Sequence, residues 1–271
     1  MVFAEKDIQE IIKKQHFTFD DLVQILKYLR SENGCPWDRE QTHKSIELNT
    51  IEEAYELVDA VNKASNEKII EESGDVILQS VFHGVIGEEA GEFTVQDIID
   101  GECRKLIDRH SHIFGSDKAE NTEDALKNWD KNKYSEKKLE SAGQRISDVP
   151  EVFPALLRAQ KVQKRASKFN YDFANVMQAV EKLQEELAEV LQAKKSGDKE
   201  KIQEEIGDLL FSVVNVARFC EVDSETALKN ATDKFINRFL QVEKLIVADG
   251  KDFLDLSLEE LDKYYNEVKK Y

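Results

Sequence analysis

Four acids in this chain have the residue types and the spacing to do chemistry together: Glu53, Glu56, Glu72 and Asp75. They sit in EEAYELVDAVNKASNEKIIEESGD, residues 52–75, as an E-x-x-E pair followed by an E-x-x-D pair. On a helix, residues three apart share a face one turn apart, so each pair sets two carboxylates side by side. Like charges at that spacing repel and destabilise the helix that carries them. Two such pairs on neighbouring helices must either hold a cation between them or stay solvated, and acid runs on helices commonly do the second.

A second copy weighs against simple solvation. Residues 185–208, EELAEVLQAKKSGDKEKIQEEIGD, align with the first stretch without a gap at an offset of 133. Glu52, Glu53 and Glu56 match Glu185, Glu186 and Glu189; Glu72 and Asp75 match Glu205 and Asp208. The first acid pair is 19 residues from the second in both copies. Further on, the i,i+4 basic pair Lys105 and Arg109 is answered by Lys234 and Arg238. Trp129 with Lys133 is answered by Tyr265 with Lys269, and upstream Trp37-Asp38 by Tyr171-Asp172. Duplication explains the repeat itself. Yet the acids and bases persist while most residues between them differ, and a solvated surface has no reason to keep that order.

The chemistry these residues suggest is specific. Carboxylates alone form an oxygen donor set, which hard cations such as Mg²⁺ or Mn²⁺ prefer. Mg²⁺ commonly bridges to substrate phosphates. Arg can fork onto a phosphate, Lys adds a point charge, and an aromatic ring can stack a base. Together they point to metal-assisted hydrolysis at phosphorus. No G-x-x-x-x-G-K-[ST] loop is present, so a fold of the P-loop class is not supported.

Helices must position these groups. Of 271 residues only 3 are Pro and 11 Gly, which favours long helices over strands. Periodicity predicts helices at about 20–31, capped by Thr18 or Asp20, and from Thr50 to Ala64, with Glu53 as capping-box partner. Others follow from Asn66 to Glu89, stopped by Gly91, from Thr94 to near His112, and around Leu126–Tyr134. The second half predicts helices over 152–167, 174–195, 199–221, 223–248 and 257–270. Polar residues 135–150 predict a linker between a first domain at 18–134 and a second at 151–271, with 1–17 as an arm.

Composition bounds the partners. Net charge is −17, with 34% charged residues, so nucleic acid polymers and anionic membranes are not expected partners. Three cysteines without a C-x-x-C pair suit a reducing compartment. The amphipathic start has no signal-peptide core and no run is apolar enough to span a bilayer, so a soluble, cytoplasmic protein is expected.

GCPWDREQTH (34–43), EEAYE, EESGD and FPALLRAQKVQKRA resemble the MazG nucleoside triphosphate pyrophosphohydrolases in their long two-domain form, over nearly the whole chain beyond residue 18. The resemblance implies an all-α fold of two tandem four-helix-type units, usually dimeric. It implies Mg²⁺-dependent cleavage of nucleoside triphosphates between the α and β phosphates. Carried onto this chain, the metal ligands are Glu53, Glu56, Glu72 and Asp75, and Glu186, Glu189, Glu205 and Asp208. Glu52 and Glu185 would position or deprotonate water. Lys105, Arg109, Trp129 and Lys133, and Lys234, Arg238, Tyr265 and Lys269, would hold the nucleotide. Tyr265 departs from the family's Trp, which tilts the reading toward the first unit.

Rival classes fit less well. A di-iron bundle needs two E-x-x-H pairs, and only Glu40–His43 has that spacing. A dUTPase-type or phosphoribosyl-ATP pyrophosphohydrolase-type enzyme shares the acid layout but not GCPWD or the tandem arrangement. A helical scaffold with solvated acids would bind no Mg²⁺ and release no pyrophosphate. Trp37 is expected to pack in the core or its loop, Cys35 to be buried, and the stripe Lys161, Lys164, Arg165 and Lys168 to face water.

Overall fold

The computed structural model describes residues 5–269, and among them every regular element is helical. The chain divides into two compact units between Lys133 and Tyr134.

The first unit opens with α1 (Glu5–Ile11) and α2 (Phe19–Leu29). Thr18 caps α2 in a capping box with Asp21. The Lys14 ammonium donates to Asp21 at 2.6 Å and, with the Thr18 backbone N–H, holds its carboxyl down at about 2. After the short α3 (Pro36–Glu40) come the two long helices of the acid stretch, α4 (Glu47–Asn62) and α5 (Asn66–Ala90). α4 starts three residues before the expected Thr50 cap. Thr50 lies inside it and donates its hydroxyl to the Ile46 carbonyl at 3.2 Å, while Ile46, buried in the core, takes the N-cap position.

Ser65 caps α5, and Gly91, at φ +71°, ends it in the left-handed conformation that glycine adopts freely. α6 (Val95–Arg109) returns across α5 from a Thr94–Asp97 capping box. Val23, Leu26, Ile46, Val81, Phe82, Val85, Ile86 and Val95 form the core of this unit. A Cβ on Gly84 would lie 2.5 Å from the Val95 side chain, so the glycine is what lets α6 approach α5 here. α7 (Ser111–Phe114) and α8 (Thr122–Glu136) follow, with the division of the chain falling inside α8.

In the second unit, residues 135–150 are not merely polar chain: α9 (Ala142–Ser147) forms there and packs on α10 (Ala155–Ser167). Arg165 of the supposed solvated stripe is turned inward. It binds the Arg145 carbonyl and the Asp148 carboxylate, while Lys161, Lys164 and Lys168 are exposed. The acid hairpin is α11 (Val176–Ser196) and α12 (Lys199–Phe219), capped by Asn175 and Asp198. α13 (Ser224–Ala248) and α14 (Leu258–Val268) close the unit around Val242, Ile246 and Val268.

The turns of the two acid hairpins correspond residue for residue. Ala64 (φ +52°) and Gly197 (φ +74°) occupy the same repeat position, both left-handed. The connections are short, residues 63–65 in the first hairpin and 197–198 in the second, so each pair of helices runs antiparallel as neighbours.

Candidate metal and nucleotide site

Each hairpin gathers its acids into a tight group. In the first unit, Glu53 and Glu56 on α4 and Glu72 on α5 bring one carboxylate oxygen each within 4.8 Å of the others. In the second, Glu186 on α11 and Glu205 and Asp208 on α12 do the same. The two trios are not the same selection from the repeat. Asp75 and Glu189 lie outside them but close enough to be felt: Asp75 helps raise Glu53, and Glu186 and Glu205 help raise Glu189.

Burial combined with crowding shifts these groups. Partial burial of Glu53, then its neighbours Asp75, Glu56, Glu72 and Glu52, pushes its carboxyl above the usual range. Glu72 is only 7% exposed and is pushed the same way, by burial first and then by Glu56 and Glu71. Glu189 follows by burial, then by Glu186 and Glu205. Glu186 is 5% exposed, and its Oε2 is buried with no hydrogen-bond partner. A buried acceptor left unmatched is costly unless something satisfies it. An oxygen-only set with an orphaned buried oxygen fits a hard divalent cation.

Lysines flank both groups, a feature that the residue-by-residue reading passed over. Lys68 lies 2.7 Å from Glu71 and 3.8 Å from Glu72. Lys182 lies 2.8 Å from Glu185 and 2.7 Å from Glu186, and the two carboxylates hold its ammonium protonated well above the ordinary lysine range. The signal was legible as Lys four residues before a buried Glu on one helix. Of the two expected water-handling acids, Glu185 is therefore engaged with Lys182, while Glu52 lies exposed beside Glu53.

The bases and aromatics form their own groups. The Arg109 guanidinium lies over Trp129, 5.4 Å from its centroid, and His110 meets that ring edge-on at 4.9 Å. Lys105 pairs with Glu102 on its own helix. Asn132 of α8 donates to the Asp108 carbonyl and Ser111, which fixes Trp129 and Lys133 relative to the end of α6. In the second unit, Arg238 and Lys269 both approach Tyr265, at 6.0 and 5.6 Å. Tyr265 also packs against the unit's core. Lys234 and Arg238 line a cavity of about 440 Å³ with Asn230, Asp233, Asn237 and Gln241. The acid-bearing helix adjoins the base-bearing helix in both units, α5 on α6 and α12 on α13.

Two other expectations resolve as follows. Trp37 is 56% exposed rather than packed, and Cys35 is half-buried. The loop they occupy is held from behind by Arg30, whose buried guanidinium reaches the carbonyls of Asp38 and Gln41 and the Glu89 carboxylate. His43 and His83 pair through their Nδ1 atoms at 2.8 Å and stack, with Phe93 against His43, so they tie that loop to α5.

A family model described as the MazG nucleotide pyrophosphohydrolase domain matches residues 41–114 and again 175–242, which span the two acid hairpins. The chain belongs to the MazG nucleotide pyrophosphohydrolase family. Among its MazG relatives, a Thermotoga maritima protein named nucleoside triphosphate pyrophosphohydrolase/pyrophosphatase MazG is 42% identical over 258 residues, covering 95% of this chain and 98% of the relative. An Escherichia coli K12 protein named nucleoside triphosphate pyrophosphohydrolase is 37% identical over 254 residues, 93% and 97% of the two chains. Bacillus subtilis YabN, named uncharacterized, is 39% identical over 258 residues but is covered over only 53% of its length. The two MazG matches coincide with the two all-α units that the repeat predicts.

Proposed function

We propose that this MazG nucleoside triphosphate pyrophosphohydrolase is Mg²⁺-dependent, with Mn²⁺ as a substitute. We propose that it cuts between the α and β phosphates to release a nucleoside monophosphate and pyrophosphate. The observation that carries the proposal is the pair of carboxylate trios, each closing to 4.8 Å across its hairpin. Glu53, Glu56, Glu72 and Asp75, and Glu186, Glu189, Glu205 and Asp208, would hold the ion. When bound, such an ion lowers the pKa of an attacking water and offsets charge on the phosphates. Glu52 or Glu185 would orient that water and take its proton. Lys105 and Arg109, or Lys234 and Arg238, would hold the triphosphate chain, and Trp129–Lys133 or Tyr265–Lys269 the nucleoside end. The orphaned Glu186 oxygen favours the second unit for turnover, against the tilt that Trp129 gave.

Pyrophosphate release from a panel of nucleoside triphosphates tests this. Activity is expected with Mg²⁺, to vanish in EDTA and to return with Mg²⁺ or Mn²⁺. Release of orthophosphate in place of pyrophosphate would contradict the cleavage site.

The working form is a homodimer. Leu48, Ile51, Tyr55 and Val58 repeat at intervals of three and four along α4, yet are 68, 47, 57 and 51% exposed. Such a stripe is the pattern of a helix that packs on another helix. Light scattering should give about twice the 31.2 kDa chain mass, and a monomer at micromolar concentration would refute the dimer. No helix among the described residues is long and apolar enough to cross a membrane. The three free cysteines suit the cytoplasm, and the acidic surface suits small anionic nucleotides escorted by cations rather than nucleic acid polymers.

A further inference from the structure

We infer that Lys182 is the resident counter-ion of the second acid cluster, a positioning residue that shares Glu186 with the metal and sets how tightly that cluster holds the ion before nucleotide arrives. The inference rests on the metal-site reading above.

Lys182 lies on α11 one turn before Glu186, and its ammonium bridges Glu185 Oε1 at 2.8 Å and Glu186 Oε1 at 2.7 Å. Glu186 is therefore divided. One oxygen faces a lysine; the other, Oε2, is buried without a partner. The carboxylate belongs to the trio with Glu205 and Asp208. A carboxylate held on one side by a fixed cation presents its other oxygen in one orientation, which is the arrangement that steadies a metal ligand. The same ammonium repels a divalent ion only a few ångströms away and so weakens its binding.

The first unit holds its lysine differently. At the offset of 133 the residue matching Lys182 is Asn49, so α4 brings no cation to Glu53. The lysine there, Lys68, lies one turn before Glu72 on α5, 2.7 Å from Glu71 but farther off, at 3.8 Å, from Glu72. The two clusters, alike in their acids, thus differ in how closely a lysine holds the buried glutamate. Lys182 would make the second cluster bind metal loosely when empty and more firmly once a triphosphate supplies negative charge to offset the lysine. An ammonium 37% exposed in its side chain has room to turn from Glu185 toward that phosphate.

Mn²⁺ binding by electron paramagnetic resonance, without nucleotide, tests this in a Glu53→Gln/Glu56→Gln background that removes the first cluster's contribution. Lys182→Met is expected to bind Mn²⁺ roughly three- to tenfold more tightly, as loss of a nearby positive charge requires. Its KM for the nucleoside triphosphate should rise, and Lys182→Arg should restore the background Mn²⁺ affinity. A role in packing alone would weaken both or neither. Circular dichroism confirms that each variant keeps its helix content; loss of helix in Lys182→Met would instead show a structural role and overturn the inference. Unchanged or weaker Mn²⁺ binding by folded Lys182→Met overturns the inference alone. No Mn²⁺ binding in the background protein or in wild type overturns the metal reading and this inference with it.

Discussion

Glu186→Gln/Glu189→Gln should lower the rate of pyrophosphate release at saturating Mg²⁺ by at least about a hundredfold, the scale of removing a group that stabilises charge in a transition state. The substitution keeps side-chain volume and changes only charge, so the helices should survive. Glu186 contributes the buried, unpartnered oxygen of its trio, and without its charge Glu205 and Asp208 are left as a two-carboxylate site. Glu189 stands outside the trio but within its electrostatic reach, so Glu189→Gln alone should cost less than Glu186→Gln alone. The matched change in the first unit, Glu53→Gln/Glu56→Gln, should cost only a fewfold. Steady-state kinetics on both variants decide the matter. Equal losses would mean that both units turn over, and loss only in the first would reverse the assignment.

The second large effect concerns the metal-free protein and runs against intuition: Glu53→Gln should stabilise it. Glu53 and Glu72 are both raised above their ordinary value of 4.5, by burial first and then by neighbouring acids. A raised carboxyl binds its proton more tightly in the folded chain than in the unfolded one. Its stabilising contribution is therefore complete below the unfolded value and is lost as pH rises through the raised folded value. Without metal, the wild-type Tm should fall as pH climbs from about 4.5 toward neutrality. Glu53→Gln carries no charge to repel and should flatten that fall, melting a few degrees above wild type at neutral pH in EDTA. Millimolar Mg²⁺ should raise wild type more than the variant, which keeps only the second cluster, and so narrow or reverse the gap. Calorimetry over this pH range, with and without Mg²⁺, reads all three. A variant that melts below wild type in EDTA would show that the carboxylate is satisfied within the protein and has no need of a cation.

Much of this was legible in the sequence because it depended on spacing. The 3.6-residue period placed both acid hairpins, and Thr18 and Thr94 cap the helices they were expected to start. Where a tertiary contact decided, spacing failed. Thr50 looked like a cap, but Ile46, buried in the core, takes that position upstream. Arg165 looked solvated, but α9, formed inside the expected linker, brought Asp148 to it. Trp37 looked like a core residue by type; its ring lies outside because Arg30 and the His43–His83 pair hold the loop from the other side. Which three of each four acids would converge, and which would be left at the margin, depends on side-chain directions that periodicity does not give.

The turns at Ala64 and Gly197 carry a consequence for how such a chain can change. Exposed loops are where insertions and deletions usually do least harm. Here the acids lie two to three helical turns to either side of a short turn, so one added residue would advance one helix by about 1.5 Å and rotate it by about 100° relative to the other. That is enough to scatter a trio that closes to 4.8 Å. The two copies agree in the spacing of their acids across this turn and not in its sequence, even though alanine is a poor fit to the left-handed conformation that glycine adopts freely. A loop ordinarily open to lengthening is here a gauge block, and the least tolerant position for an insertion lies in the open, on the surface of each hairpin.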